Sequence, residues 1–235
     1  MQISGITPFT TIDFPETIAC ILFTAGCNFR CSYCHNSEFV LPEKLKELKD
    51  DFIHHEAVFQ FLKERQGKLD GVVITGGEPT MHHNLLDWME RIQKMGFKVK
   101  LDSNGNKPEI LKDALDRKIV DYIAMDIKCM PSRYEELAGK RADGDKIIES
   151  INILKEANIP VEFRTVAIEG FHKEEDFEEI RNLIKGASVY RLLKFRPGNT
   201  LCPSFALLKP FSNQKMKDEA EKFSSYVDKV ICATT

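Results

Sequence analysis

No stretch of the chain approaches the run of about 18 apolar residues that a bilayer-crossing helix requires. The segment from Met1 to Phe14 has neither a basic start nor a long apolar centre, so it does not read as a secretory leader. A cytosolic location is therefore expected. Basic charge is also short: 33 Lys and Arg stand against 36 Asp and Glu, a net charge of −3. That balance gives no global field to hold nucleic acid, and no nucleic-acid or membrane partner is expected. Low-complexity tracts and an evident inter-domain linker are missing too. Among the cysteines there is no pair of CxxC motifs of the kind that closes a structural zinc site.

What is present is a chain of 235 residues, 43% hydrophobic, which is enough for one globular domain with a substantial core. Residues 2–24 read as a hairpin, with turn signals at Thr7-Pro8 and Asp13-Phe14-Pro15. The run Ile18–Thr24 is apolar and rich in β-formers. Residues 37–55 are polar and read as a connection or lid. Glu56–Arg65 has helical spacing, with Val58, Phe61 and Leu62 on one face. Val72–Thr75 reads as a strand. Leu85, Leu86, Met89, Ile92 and Met95 make a helical stripe, and Phe97–Leu101 a strand.

The alternation then continues. Helices are expected at Pro108–Arg117, Lys146–Ala157 and Glu174–Lys185, and strands at Tyr122–Met125, Val161–Val166 and Tyr190–Phe195. Residues 131–142 read as irregular or briefly helical, and 197–211, with three prolines, as a long loop. Asn213–Tyr226 is expected to be a terminal helix, followed by a possible strand at Val227–Ala233. Strands alternating with helices imply βαβ units and a parallel sheet. A closed eight-fold barrel usually takes about 250 residues. The expected fold is α/β, an open partial (β/α)6 barrel with an N-terminal hairpin and a C-terminal helix. A flat doubly wound sheet is the alternative.

Polar or glycine-rich clusters follow strand after strand: Cys27–Cys34, Gly76–Glu78, Asp102–Asn104, Asp126–Lys128 and Arg196. In parallel α/β folds the carboxyl ends of the strands form the functional face. Loops are polar in any case. That explains one cluster better than it explains five.

The first cluster carries the sharpest signal. Cys27, Cys31 and Cys34 sit at spacings of four and three. Closely spaced cysteines in a reducing compartment bind metal or do redox work more often than they form disulfides. Thiolates select zinc, copper(I) or iron–sulfur clusters. His35 is a candidate fourth ligand, although its adjacency to Cys34 makes joint binding awkward. Three thiolates on a cube of four irons would leave one iron open for chemistry. Cys20, Cys129, Cys202 and Cys232 are dispersed and are expected to be ordinary buried cysteines.

At Cys27, Cys31, Tyr33 and Cys34 the CxxxCx(aromatic)C pattern resembles the signature of radical S-adenosylmethionine enzymes. Together with Thr75-Gly-Gly-Glu-Pro-Thr80, Leu101-Asp-Ser-Asn-Gly105 and Met125-Asp-Ile-Lys128, it is similar to the activating proteins of glycyl-radical enzymes. Thr11-Ile-Asp-Phe-Pro15, the short length and Lys194-Phe-Arg-Pro-Gly198 resemble the type that acts on anaerobic ribonucleoside-triphosphate reductase. The resemblance implies a single domain over 1–235, with a core of about 17–200 and an extension of about 201–235.

It also implies roles. Cys27, Cys31 and Cys34 would ligate a [4Fe-4S] cluster, whose fourth iron is chelated by S-adenosylmethionine. Gly76, Gly77 and Glu78 would receive the methionine amino group. Read without the family, they are simply a tight turn. Tyr33 would pack near the adenine, or merely in the core. Asp102 and Asp126 would hold a monovalent cation or contact the cofactor, or cap a helix. Ser103 keeps a hydroxyl where relatives often carry threonine. Lys128 would meet the cofactor's carboxylate or adenosyl oxygens. Arg164 and Arg196 are weaker candidates.

The implied partners are a glycyl-radical enzyme and a flavodoxin or ferredoxin electron donor. Residues 37–55 and 197–211 are the candidates for docking. Formate-lyase activators carry a histidine where this chain has Phe195-Arg196-Pro197. Dehydratase activators carry extra cysteines, and residues 35–128 contain none. Both departures favour the reductase type. The competing readings are a small-molecule enzyme such as a 7-carboxy-7-deazaguanine synthase and, outside enzymes, a zinc-binding adaptor.

Overall fold

The structure is a computed structural model that describes residues 1–234, apart from the side chain of Lys49. The elements in chain order are β1 (Ile3–Thr10), β2 (Ala19–Thr24), α1 (Pro42–Glu47), α2 (His55–Arg65), β3 (Gly71–Gly76), α3 (Leu85–Lys94), β4 (Lys98–Ser103), α4 (Pro108–Asp116), β5 (Tyr122–Asp126), α5 (Tyr134–Ala138), α6 (Gly144–Lys155), β6 (Val161–Ala167), α7 (Glu174–Leu183), β7 (Val189–Lys194), α8 (Pro203–Ala206), α9 (Asn213–Phe223) and β8 (Lys229–Ala233). The strands form one sheet in the order β1 to β8, so β1 and β8 are edges and the sheet is not closed on itself. No helix among the described residues is long and apolar enough to cross a membrane.

Contacts divide the chain into two compact units. The first holds residues 1–28, 38–103 and 109–123, and the second holds 29–37, 104–108 and 124–235. In the first unit β1 and β2 form the expected antiparallel hairpin, and β2, β3 and β4 run parallel. Five of the six β2 residues are buried, as a strand covered on both faces requires. The β2–β3 register ends with Thr24 opposite Gly76. The cysteine loop and the Gly-Gly-Glu turn therefore leave the same end of neighbouring strands. In the second unit β6, β7 and β8 are parallel, and α9 packs on β7 through Phe223, stacked 4.0 Å from Tyr190.

Several expectations need correction. The buried face of α2 is Val58, Phe59 and Leu62. Phe61 lies at the margin, with Arg65 over its ring at 5.2 Å. Phe59 goes inward because it pairs with Trp88 at 4.8 Å. That same pairing makes Trp88 part of the buried stripe of α3, while Leu86 and Met95 are only half-buried. Segment 37–55 contains α1, and 197–211 contains α8. In both, a proline in the first helical turn starts a helix that the surrounding polarity and prolines had masked. Residues 229–233 do form a strand, so the chain adds β8 to the sheet after its C-terminal helix.

Candidate functional site

The predicted residues fall into both units. Cys27, Gly76, Gly77, Glu78, Asp102 and Ser103 belong to the first, and Cys31, Tyr33, Cys34, Asp126, Lys128, Arg164 and Arg196 to the second.

In the first unit the two glycines serve the chain's own backbone. Gly77 donates its N–H to the Thr24 carbonyl at 2.8 Å, and Glu78 donates to Gly26 at 2.8 Å. A Cβ on Gly77 would lie 2.0 Å from the Gly26 oxygen. Gly76 has φ +115°, and a Cβ there would lie 2.5 Å from the Thr24 backbone. Glycine is thus demanded by close packing of the two strand-end loops. Glu78 is buried, and its Oε1 accepts from Thr80 N–H at 3.1 Å, Thr80 Oγ1 at 2.5 Å and Ser103 Oγ at 3.0 Å. Ser103 and Glu78, read as separate candidates, are joined directly. Asp102 accepts from Lys100 Nζ at 2.5 Å. The alternation of β4 puts Lys100 and Asp102 on one face, and that lysine was missed by the sequence reading.

In the second unit the cysteine loop is held through its backbone. Arg30 and Ser32 donate to Ala138 and Leu137 at 2.7 and 3.0 Å, and Leu201 and Cys202 donate to Cys34 and Ser32 at 2.8 and 2.9 Å. The 197–211 loop is therefore strapped to the cysteine loop. Cys34 closes a turn onto the Cys31 carbonyl at 2.9 Å. His35 turns away from ligand duty. Its Nε2 donates to the Arg196 carbonyl at 2.8 Å, and its ring stacks on Phe195 at 6.2 Å. Arg196 thus enters through its backbone, and its side chain is exposed.

Asp126 joins Lys128 Nζ at 2.9 Å and Arg164 Nε at 2.7 Å. Burial opposes the Asp126 charge, but Arg164 and Lys128 outweigh it and hold the carboxyl well below its usual range. Burial likewise works against the Lys128 ammonium, and Asp126 and its neighbours raise it well above an ordinary lysine. Lys128 Nζ stands 5.7 Å from the ring centre of Tyr33, which is itself buried. These four residues are brought together as a set. Asp102 and Asp126 each pair with a cationic side chain of the chain itself.

Seven cysteines are free. Cys20 and Cys129 are buried as expected, but Cys202 and Cys232 are half-exposed. Cys202 lies on the strap and Cys232 on the edge strand β8, neither of which is covered on both sides. Cys27, Cys31 and Cys34 are half-buried. Burial pushes the Cys31 thiol up to about 11, with Lys128 pulling the other way. Among the described residues no three His, Cys, Asp or Glu side chains already converge as a metal site. The donors fit an iron–sulfur cluster in kind and number. They are soft thiols, all on one eight-residue loop whose backbone is pinned without using the sulfurs.

Comparison with known proteins settles the family. The profile described as the Radical SAM superfamily matches residues 21–184. The chain belongs to that superfamily. Radical SAM enzymes use a [4Fe-4S] cluster and S-adenosylmethionine. A protein of Methanocaldococcus jannaschii, provisionally named a glycyl-radical enzyme activating enzyme, is 32% identical over 99% of this chain and 95% of its own length. The 7-carboxy-7-deazaguanine synthase of Thermococcus kodakarensis is 26% identical over 69% of this chain and 68% of its own. The pyruvate formate-lyase 1-activating enzyme of Escherichia coli is 27% identical over 71% and 67%. The solved structure of TYW1 with a lysine-pyruvate adduct covers 89% of this chain and 74% of that one, with a TM-score of 0.57 at 16% identity. That likeness shows the fold, and the expected open α/β arrangement is the radical SAM one.

Proposed function

We propose that this radical SAM enzyme generates a glycyl radical on a partner enzyme, and that the partner is of the anaerobic ribonucleoside-triphosphate reductase type. The observation that carries the activase reading is the similarity to the M. jannaschii protein, which runs through 99% of this chain and 95% of that one. The choice of the reductase rests on the motifs Thr11–Pro15 and Lys194–Gly198 and on the absence of cysteines from residues 35–128.

Cys27, Cys31 and Cys34 would hold the cluster. When bound, the cluster and S-adenosylmethionine would supply the one-electron reduction and radical chemistry needed to remove a hydrogen atom from the Cα of the partner's glycine. The chain's own residues bind and orient. Gly76, Gly77 and Glu78 supply a rigid turn and a carboxylate for the methionine ammonium. Ser103 keeps that carboxylate in place. Lys128, fixed by Asp126 and Arg164, presents a cation to the cofactor's oxygens. Tyr33 gives the apolar face against which the adenine packs and from which water is excluded. Asp102 and Arg196 act at the rim. A flavodoxin or ferredoxin delivers the electron. The exposed parts of 37–55 and 197–211, where Leu207 is 85% exposed, receive the partner.

Anaerobic reconstitution with iron and sulfide tests the cluster: a brown protein is expected, and Cys31→Ala loses the colour. Zinc alone at full loading would overturn the reading in favour of an adaptor. Incubation of the reduced enzyme and cofactor with the reductase should give a glycyl doublet by electron paramagnetic resonance. A second reading, synthesis of 7-carboxy-7-deazaguanine, draws on the T. kodakarensis relative. It predicts that compound by chromatography and no doublet.

A further inference from the structure

His172 is buried, belongs to no motif in the sequence, and is bonded at both ring nitrogens. Its Nδ1 accepts from the Ile168 N–H at 3.0 Å. A backbone amide can only donate, so that nitrogen carries no proton. Its Nε2 stands 2.8 Å from the Lys128 carbonyl. A carbonyl can only accept, so that nitrogen carries the proton. The two partners together permit one neutral tautomer.

The local fold makes this arrangement. β6 ends at Ala167, and a turn through Gly170, at φ +81°, brings His172 N–H back to the Ile168 carbonyl at 3.1 Å. Ile168 and His172 thus bind each other twice. The ring is flanked by Phe171 at 5.1 Å and Phe177 at 5.3 Å. Asp176 and Arg133 are the charged groups near it, and they are paired with each other.

Lys128 needs this support. Asp126 is the last residue of β5, so the peptide groups of Lys128 lie beyond that strand's end. Side chains answer them instead: Lys128 N–H donates to Tyr134 Oη at 2.9 Å, and the Lys128 carbonyl accepts from His172. With its backbone held on both sides, the side chain has a defined start for its reach to Asp126 and the Tyr33 ring.

We propose that His172 is a positioning residue: as a neutral Nε2–H imidazole it sets the Lys128 carbonyl and thereby holds the Lys128 ammonium in the cofactor site. Its cofactor consequence rests on the function proposed above, whereas its effect on Lys128 does not. Burial lowers the affinity of His172 for a second proton, with the bond to the Lys128 carbonyl and the charge of Asp176 acting against that. A second proton would place N–H against N–H at Ile168.

Three measurements test it. Nitrogen-15 NMR of the cluster-free protein should show His172 protonated at Nε2 and bare at Nδ1; the opposite tautomer overturns the proposal. Next, His172→Gln can still donate to the Lys128 carbonyl, whereas His172→Asn reaches only the Ile168 side. Amine footprinting of the cluster-free protein should show Lys128 labelled about fivefold faster in His172→Asn and within about twofold of native in His172→Gln, the scale of one lost buried hydrogen bond. Equal rates in all three proteins, or equal acceleration in both variants, overturn it. In the reconstituted enzyme, S-adenosylmethionine binding should weaken about tenfold in His172→Asn and recover in His172→Gln. If Lys128→Met leaves that affinity unchanged while the footprinting result holds, the cofactor role of Lys128 fails and the positioning of Lys128 by His172 stands.

Discussion

Two strand ends of this protein carry the same two residue types at the same spacing, Lys100-x-Asp102 and Asp126-x-Lys128, and use them differently. In the first, both residues belong to β4 and both are well covered, with side chains 4% and 14% exposed. The lysine also lies 5.8 Å from the Tyr122 ring. In the second, the aspartate closes β5 and the lysine stands past it, tied by Tyr134 and His172 through its backbone. Asp126 also has a second cation in Arg164. A pair inside a strand is locked by the sheet around it. A pair at a strand's end is locked by side chains from elsewhere. Strand position, more than charge, distinguishes the two pairs.

Four experiments bear on that difference. The largest effect on stability is expected from Asp102→Asn, which leaves the covered Lys100 ammonium without its carboxylate. The cost is about 3 kcal/mol by urea denaturation, and Lys100→Met in the same chain should restore most of it. Gly77→Ala should cost a similar amount, about 3 kcal/mol, because the added carbon meets the Gly26 oxygen. A tolerated alanine there would show that the Gly-Gly turn is kept for the cofactor and not for packing. Lys128→Met should change stability by only about 1 kcal/mol, since Arg164 still faces Asp126. It should nevertheless weaken S-adenosylmethionine binding more than about tenfold by equilibrium dialysis. If the two lysine sites respond alike in both assays, the distinction between them is broken.

The smallest effect concerns pH. The folded His172 has a lowered pKa, so the unfolded chain binds the proton first as pH falls. The stabilising difference is present in full above the ordinary histidine value of about 6.5 and is lost progressively below it. His172→Gln should flatten the slope of stability against pH in that window, measured by thermal melts in matched buffers. An unchanged slope would show that His172 does not titrate there.

Much of the architecture was legible before any coordinates. The apolar run of β2, the Val72–Thr75 strand and the stripe of α3 carry their period openly. The clusters at successive strand ends were legible as candidates for the functional face. Helices α1 and α8 were not legible, because each is under two turns long and is started by a proline in a segment that otherwise reads as loop. Among the candidate site residues, Cys27–Cys34 and Gly76–Glu78 stood out by spacing. His172, Tyr134 and Lys100 did not. Each acts through a hydrogen bond or ion pair made from outside any motif, and one of these, His172 to Lys128, links positions 44 residues apart.

The amino-acid sequence by itself determined the donor set, the alternation of strands and helices, and so the family. Those follow from residue type and short-range spacing, which the covalent chain preserves in any conformation. Only the tertiary structure decided what the polar residues do. It made Gly77 a packing requirement, turned His35 to the Arg196 carbonyl, gave Glu78 its serine and threonine donors, and fixed the single tautomer of His172. Such assignments depend on which group meets a buried donor or acceptor, and burial and partnership exist only once the chain has folded.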